Sequence, residues 1–197
     1  MSNIYKYITV FFLFFFATVH AFEKPDVFLK RTVDEVTEFI DKNRAMLEDD
    51  ESYLKKTVNK LIMPKFNILL MSKIVLGKKN WLSSTDLEKK EFQDTFKDLL
   101  IKTYMRSLLE YDGSKLKYLP YKPGKRPEVA KVKSIYLMSD GDMPVAYRLK
   151  LNSNNEWKVF DIIFDGISLL KNYRADFQEH IKREGIVSLI TALREKN

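Results

Sequence analysis

Trp157-Lys158-Val159-Phe160-Asp161-Ile162-Ile163-Phe164-Asp165-Gly166-Ile167-Ser168-Leu169-Leu170 is the stretch on which the reading of this chain turns. Its first half is β-branched and aromatic and follows the turn cluster Asn152-Ser153-Asn154-Asn155, which predicts a strand. Strict alternation puts Trp157, Val159, Asp161 and Ile163 on one face, and Lys158, Phe160, Ile162 and Phe164 on the other. Both sets are largely apolar, so the strand is expected to be covered on both sides. Asp165-Gly166 breaks it. Asp165 is placed to N-cap a helix along which Ile167, Leu170, Arg174, Phe177 and Ile181 follow at helical spacing.

Upstream, three further strands are expected. These are Lys115 to Tyr121, Val129 to Met138, and the run from Val145 to Leu151. In the last, apolar Val145, Tyr147, Leu149 and Leu151 alternate with Ala146, Arg148 and Lys150. Short turns join these strands to the one at Trp157, which predicts an antiparallel meander. Helices precede the sheet. Asp26 to about Met46 carries Val33, Val36, Ile40 and Leu47 on one face, and a shorter helix runs to about Ile62. Another starts near Pro64 and is capped by Gly77. Thr85 and Glu88 stand at capping-box spacing ahead of a long helix striped by Phe92, Phe96, Leu99, Leu100, Tyr104 and Leu108, ending near Tyr111 at Asp112-Gly113. Gly185 separates a last short helix bearing Leu189, Ile190 and Leu193. Helices, then a meander, then helices predict an α+β fold.

At 197 residues the chain is expected to form one domain, 22–197, behind a leader. Lys6, the apolar run Ile8 to Val19 and the ending Val19-His20-Ala21 have the order of a secretory signal peptide, residues 1–21, cleaved after Ala21. Glu23, Lys24 and Pro25 come too soon for a membrane-spanning helix, which needs about 20 apolar residues. The net charge is +7, and removing Lys6 with the leader leaves +6. Such a balance suits anionic lipid head groups or acidic proteins; export argues against nucleic acid. There is no cysteine, so neither a disulfide framework nor thiol chemistry is available. Only His180 remains after the leader, which argues against a metal site, because zinc takes three or four convergent ligands.

Candidate catalytic groups are few. Gly166-Ile167-Ser168 has the beginning of a nucleophile elbow, but Leu170 occupies the place of the closing glycine. Ser168 is expected to hydrogen-bond within the first helical turn instead. Asp161 is the one acid inside the central strand. It is expected to accept hydrogen bonds from backbone or from a basic partner such as Arg174, locking the strand-to-helix corner. No catalytic residue is therefore assigned.

The residues also resemble a known family. W-K-V-x-D, then G-(I/V)-S, then Asn172-Tyr173-Arg174 and a later Gly-Ile resemble the C-terminal signature of the MlaC family of periplasmic phospholipid-binding proteins, also called the toluene-tolerance auxiliary family. The resemblance extends upstream through Tyr53-Leu54, Pro64, Val75-Leu76-Gly77, Trp81, Phe92, Phe96, Leu100, Tyr104 and Tyr111. It departs at Asn67 and Asp165, where acidic residues and Glu are common. The resemblance implies a curved antiparallel sheet of about four strands, nuclear-transport-factor-like, wrapped by helices around an apolar cavity. It implies a lining drawn from Phe96, Leu100, Tyr104, Leu108, Tyr147, Leu149, Val159, Ile163, Ile167 and Leu170. It implies a periplasmic shuttle that maintains outer-membrane lipid asymmetry and needs no cofactor or metal. Its ligand would be a phospholipid, and its partners an inner-membrane ABC-type lipid transport complex and an outer-membrane lipoprotein–porin complex. Lys125, Arg126, Arg148 and Lys150 are the candidate docking residues, though an ordinary solvated edge would look the same. The competing reading is a small-molecule enzyme using the same cavity fold, which would place titratable residues inside the cavity. A third, a peptide-binding or chaperone module, would need an exposed groove.

Overall fold

The expected meander is present, with one short strand added at its end. The computed structural model describes residues 23–112, 115–139 and 141–196; the leader with its cleavage position and the helix-stopping glycine at 113 lie outside them. Among these residues, β1 (Leu116–Tyr118), β2 (Val129–Tyr136), β3 (Met143–Leu151), β4 (Trp157–Phe164) and β5 (Ile167–Ser168) lie in chain order, each antiparallel to its neighbour. The helices are α1 (Pro25–Asp49), α2 (Glu51–Thr57), α3 (Ile68–Ser83), α4 (Asp86–Tyr104) and α5 (Leu169–Lys196). A π turn, Val58–Ile62, and a 3-10 turn, Met63–Lys65, join α2 to α3. The fold is α+β, as the pattern predicts.

The strict alternation read into β4 does not hold along its length. Val159 pairs with Leu149 and Asp161 with Arg148, so the register slips by one residue at Phe160, a β-bulge. Beyond the bulge the faces exchange. Trp157, Val159, Ile162 and Phe164 share a face with Leu151, Leu149, Tyr147 and Val145, whereas Asp161 and Ile163 face the other way with Arg148 and Ala146. Inserting one residue re-aims every side chain after it, which is how one strand serves two apolar layers.

The corner after β4 also differs from expectation. Asp165 and Gly166 both have positive φ, 46° and 79°, as a two-residue hairpin turn with right-handed twist requires. Phe164 pairs with Ile167 across it. The helix starts at Leu169, three residues later than an N-cap at Asp165 would set it. Lys171 N–H donates to Ser168 Oγ, 3.2 Å, so Ser168 does bond within the first turn. Asp161 supplies the second cap: it accepts Ser168 Oγ–H at 2.7 Å and Leu170 N–H at 3.1 Å. Its basic partner is Arg148, 3.5 Å away, and not Arg174.

Other caps follow the sequence. Thr85 and Glu88 form the expected capping box. Asn67 caps α3 by accepting Leu70 N–H at 2.9 Å, the job an Asp would do there. Asn67 N–H also donates to Val159 O at 2.8 Å, tying the α3 entry to the first half of β4.

Three apolar clusters result. Met71, Val75, Leu76, Phe92, Phe96, Leu170 and Phe177 bury α3, α4 and α5 against one another and against Phe160 of the bulge. Phe28 and Leu29 of α1 lie on the sheet face formed by Ala130, Val132, Leu149, Trp157 and Val159. Ile40, Leu47, Leu54, Val58, Ile101 and Met105 close the far end of α1 against α2 and α4.

Candidate functional site

The three clusters leave a space among them, although Phe66 packs against both the helical core and the α1–sheet cluster. Between them lies a cavity of about 340 Å³ bounded by 22 residues. Leu29, Thr32, Val33 and Val36 enter from α1, the i, i+3, i+4, i+7 face of one helix. Val58, Ile62 and Met63 come from the π turn and the residue after it. The wider π winding points residues four and five apart to the same side, and such turns recur at functional sites. Leu100, Ile101, Tyr104, Met105 and Leu108 come from α4 and its continuation, and Tyr147, Val159, Ile162 and Phe164 from the sheet. Lining residues reach solvent at Tyr104, Ser107 and Phe164.

The size of this space is itself informative. Protein interiors hold few voids larger than a water molecule. A space of this size is within the range of ligand sites. The wall dictates which kind: among the described residues Lys65 is the only charged side chain of the lining.

Of the ten residues expected in the lining, Leu100, Tyr104, Leu108, Tyr147 and Val159 are there. The other five are elsewhere. Phe96 is fully buried in the helical core, stacked on Phe92 at 5.6 Å and edge-on to Tyr173 at 5.4 Å. Leu170 is in the same core, because the helix begins only at Leu169 and turns it inward. Leu149 has the right face of β3 but lies directly under α1, which leaves no space above it. The bulge sends Ile163 to the opposite face. Ile167 sits on the two-residue edge strand and is 58% exposed.

Conversely, the α1 and π-turn residues of the lining were legible only as an apolar helix face. Periodicity marks which residues turn inward but not whether they meet a packed core or a void.

The tyrosines give the lining its polarity. Burial pushes the Tyr147 phenol up to about 12, opposed by a hydrogen bond with Ser134. Burial likewise raises Tyr104, Tyr111 and Tyr118 above the ordinary phenol range. All four are neutral near pH 7. The hydroxyls of Tyr111 and Tyr118, and that of Thr32, are buried without a hydrogen-bond partner.

The four candidate docking residues lie outside this cavity. Lys125 and Arg126 are exposed in the loop before β2, whose first residue, Val129, pairs with Lys150. Arg148 lies on the same outer face as Lys150, but it is engaged, with its guanidinium 4.9 Å from the Phe160 ring centre and beside Asp161. Exposed Lys131 and Lys133 of β2 extend this basic face and were not singled out from the sequence. His180 Nε2 is 3.1 Å from Ser188 Oγ on α5, and His180 is not part of the cavity wall.

Known proteins share this architecture. A phospholipid-binding protein from Ralstonia solanacearum, solved in complex with a phospholipid, superposes with a TM-score of 0.77 at 25% identity, covering 88% of this chain and 96% of that one. The Haemophilus influenzae intermembrane phospholipid transport system binding protein MlaC is 25% identical over 182 residues, 90% of this chain and 84% of its own. The Pseudomonas putida toluene tolerance protein ttg2D is 26% identical over 167 residues, 84% of this chain and 76% of its own. The family model for MlaC protein matches residues 30–195, nearly the whole of the described chain, and the protein therefore belongs to the MlaC family.

Proposed function

We propose that this protein is a periplasmic phospholipid-binding shuttle. It carries lipid between an inner-membrane ABC-type complex and an outer-membrane lipoprotein–porin complex and so maintains the lipid asymmetry of the outer membrane. The observation that carries the reading is the apolar cavity at the junction of α1, α4 and β4. Each methylene removed from water is worth about 0.8 kcal/mol, so two acyl chains with on the order of 30 methylenes face a barrier beyond about 20 kcal/mol in crossing water bare. A dry protein cavity replaces the bilayer as solvent for the chains, and the task needs no bond to be made or broken. The phospholipid bound by the Ralstonia relative supports the same ligand class here.

Export follows the signal-like order of residues 1–21, with cleavage after Ala21, and leaves 22–197 as the working domain. Lys125, Arg126 and Lys150, with Lys131 and Lys133, form the face we assign to acidic partners. Arg148 belongs with them in position but is held by Asp161. The enzyme alternative asks for an acid, base or nucleophile poised in the cavity; the titratable lining groups are Lys65 and phenols that burial keeps neutral, which supports the carrier reading.

The test is native mass spectrometry of the purified mature protein followed by lipid extraction. A mass excess of one or more phospholipids is expected. Protein that stays lipid-free after incubation with phospholipid vesicles would sink the proposal.

A further inference from the structure

The apolar wall accounts for acyl chains but leaves the phosphate end of the lipid unassigned. One place in the lining has the chemistry for it. Lys65, at the end of the 3-10 turn, is part of the wall, and its side chain is only 24% exposed. Its ammonium crosses to α1 and donates to Glu35 Oε2 at 3.1 Å. Thr32 lies one helical turn before Glu35 on α1, lines the cavity, and is 8% exposed, with Oγ1 lacking any hydrogen-bond partner. An unpaired buried hydroxyl is costly, and such groups in native proteins call for an explanation.

Glu35 does not depend on Lys65. Arg31 Nη1 donates to Glu35 Oε1 at 2.8 Å, and Arg31 is itself held by Glu23 at 2.9 Å. Glu23, Arg31, Glu35 and Lys65 thus form a chain of alternating charge that sums to zero. If Lys65 turns to another anion, Glu35 keeps its second cation.

We infer that Lys65 and Thr32 form a subsite for the phosphodiester of a bound lipid, and that Glu35 holds the Lys65 ammonium in place while no phosphate is present. The inference rests on the proposed lipid-carrier function and adds to it a basis for preferring phospholipids over uncharged lipids with the same chains. The acyl chains would occupy the wall formed by Val36, Ile62, Ile162 and Leu100. The phosphate would displace Glu35 as the acceptor for Lys65 Nζ and give Thr32 Oγ1 a partner. A charge-assisted hydrogen bond to a side chain only 24% exposed is among the stronger polar contacts available to a protein.

The experiment offers the full mature protein vesicles containing equal amounts of dioleoylphosphatidylglycerol and dioleoylglycerol, lipids with identical chains. Lipid retained by the re-isolated protein is then counted by mass spectrometry. Wild type is expected to hold the phospholipid over the diacylglycerol by about tenfold or more. Lys65→Met keeps an apolar stem of similar length and should bring the ratio within about threefold. Thr32→Val should fall between. Glu35→Gln frees Lys65 without touching the lining, so it should raise the ratio, and it decides the matter if Lys65→Met does not fold.

Equal uptake of both lipids by wild type overturns the subsite and leaves the carrier reading intact, as do ratios unchanged in both Lys65→Met and Glu35→Gln. Uptake of neither lipid by wild type overturns both. Inorganic phosphate alone, in excess, should leave the melting temperature of wild type where it is. A rise that Lys65→Met abolishes would make this a free-phosphate site and overturn the assignment to lipid.

Discussion

Arg174 lays its guanidinium against Gly77, so closely that a Cβ at residue 77 would stand 2.8 Å from Nη2. Its Nη1 donates to the carbonyl of Ile74 at 2.6 Å, satisfying the end of the first half of α3, where Gly77 interrupts the helix with φ 71° and ψ 161°. Gln178, one turn further along α5, donates to the carbonyls of Val75 and Leu76 at 3.2 and 2.7 Å. Two motifs nearly a hundred residues apart in sequence, Val75-Leu76-Gly77 and Asn172-Tyr173-Arg174, are therefore two halves of one helix cap.

Gly77→Ala should destabilise the protein by about 2 kcal/mol, because residue 77 sits in a region of φ and ψ that is essentially restricted to glycine. Arg174→Ala should cost about 1 kcal/mol, since the bond it makes is partly exposed. Alanine at 77 also evicts the guanidinium, so the double variant should cost less than the sum. Urea melts of the four proteins measure the cycle, and strict additivity would refute the cap.

Asp161 is the second fastener, binding β4 to the start of α5. Asp161→Ala strands the Ser168 hydroxyl and the Leu170 N–H and leaves Arg148 without its anion, for a loss of about 3–5 kcal/mol. Asp161→Asn keeps one acceptor and should cost less than half of that. Chemical denaturation separates the two; an alanine variant as stable as wild type would mean that the corner is held by packing alone.

A carboxylate scan maps the cavity. Ile162→Glu places a charge in the wall beside the opening, where water can follow it, and should abolish lipid retention in a protein that still melts cooperatively. Leu149→Glu buries a charge between β3 and α1 and should unfold the domain. Ile167→Glu, on the exposed edge strand, should change neither property. Circular-dichroism melting beside lipid extraction distinguishes the three outcomes, and loss of lipid in Ile167→Glu would put the mouth of the cavity at the β5 edge.

Alkaline stability should follow the buried phenols. Tyr147 holds its proton to about 12 when folded, against an ordinary value of 10.0, and Tyr104, Tyr111 and Tyr118 shift the same way. Above pH 10 the unfolded chain binds fewer protons than the folded one, so stability declines as pH rises from there through the folded values. Melting temperature should be insensitive to these groups below pH 10 and drop above it. Tyr147→Phe should lessen the drop; an unchanged slope would mean that Tyr147 ionises freely in the folded state.

Charge reversal of Lys125, Arg126 and Lys150 together should weaken binding to the proposed inner-membrane partner most strongly at low salt, with bound lipid unchanged. Arg148→Glu is not equivalent, because it sets a second carboxylate against Asp161 and should lower the melting temperature as well. Undiminished binding by the triple variant would return this face to ordinary solvated surface.

The sequence by itself determined strands β1 to β4 and the helices in their order, but not the short strand β5. Periods of two and of 3.6, the Thr85–Glu88 capping box and the turn residues are local, and local chemistry is written in neighbouring letters. The extended C-terminal signature carried the family for the same reason. Tertiary structure decided the rest. A one-residue bulge opposite Arg148 and Leu149 exchanged the faces of β4, and strict alternation has no means of announcing it. Leu149 and Tyr147 are two residues apart on one face of one strand, yet one is packed beneath α1 and the other lines a cavity. That difference depends on where α1 leaves the sheet, over a hundred residues away in the chain. Apolar patterning records which side of an element avoids water, and a packed core and a lipid avoid it equally well.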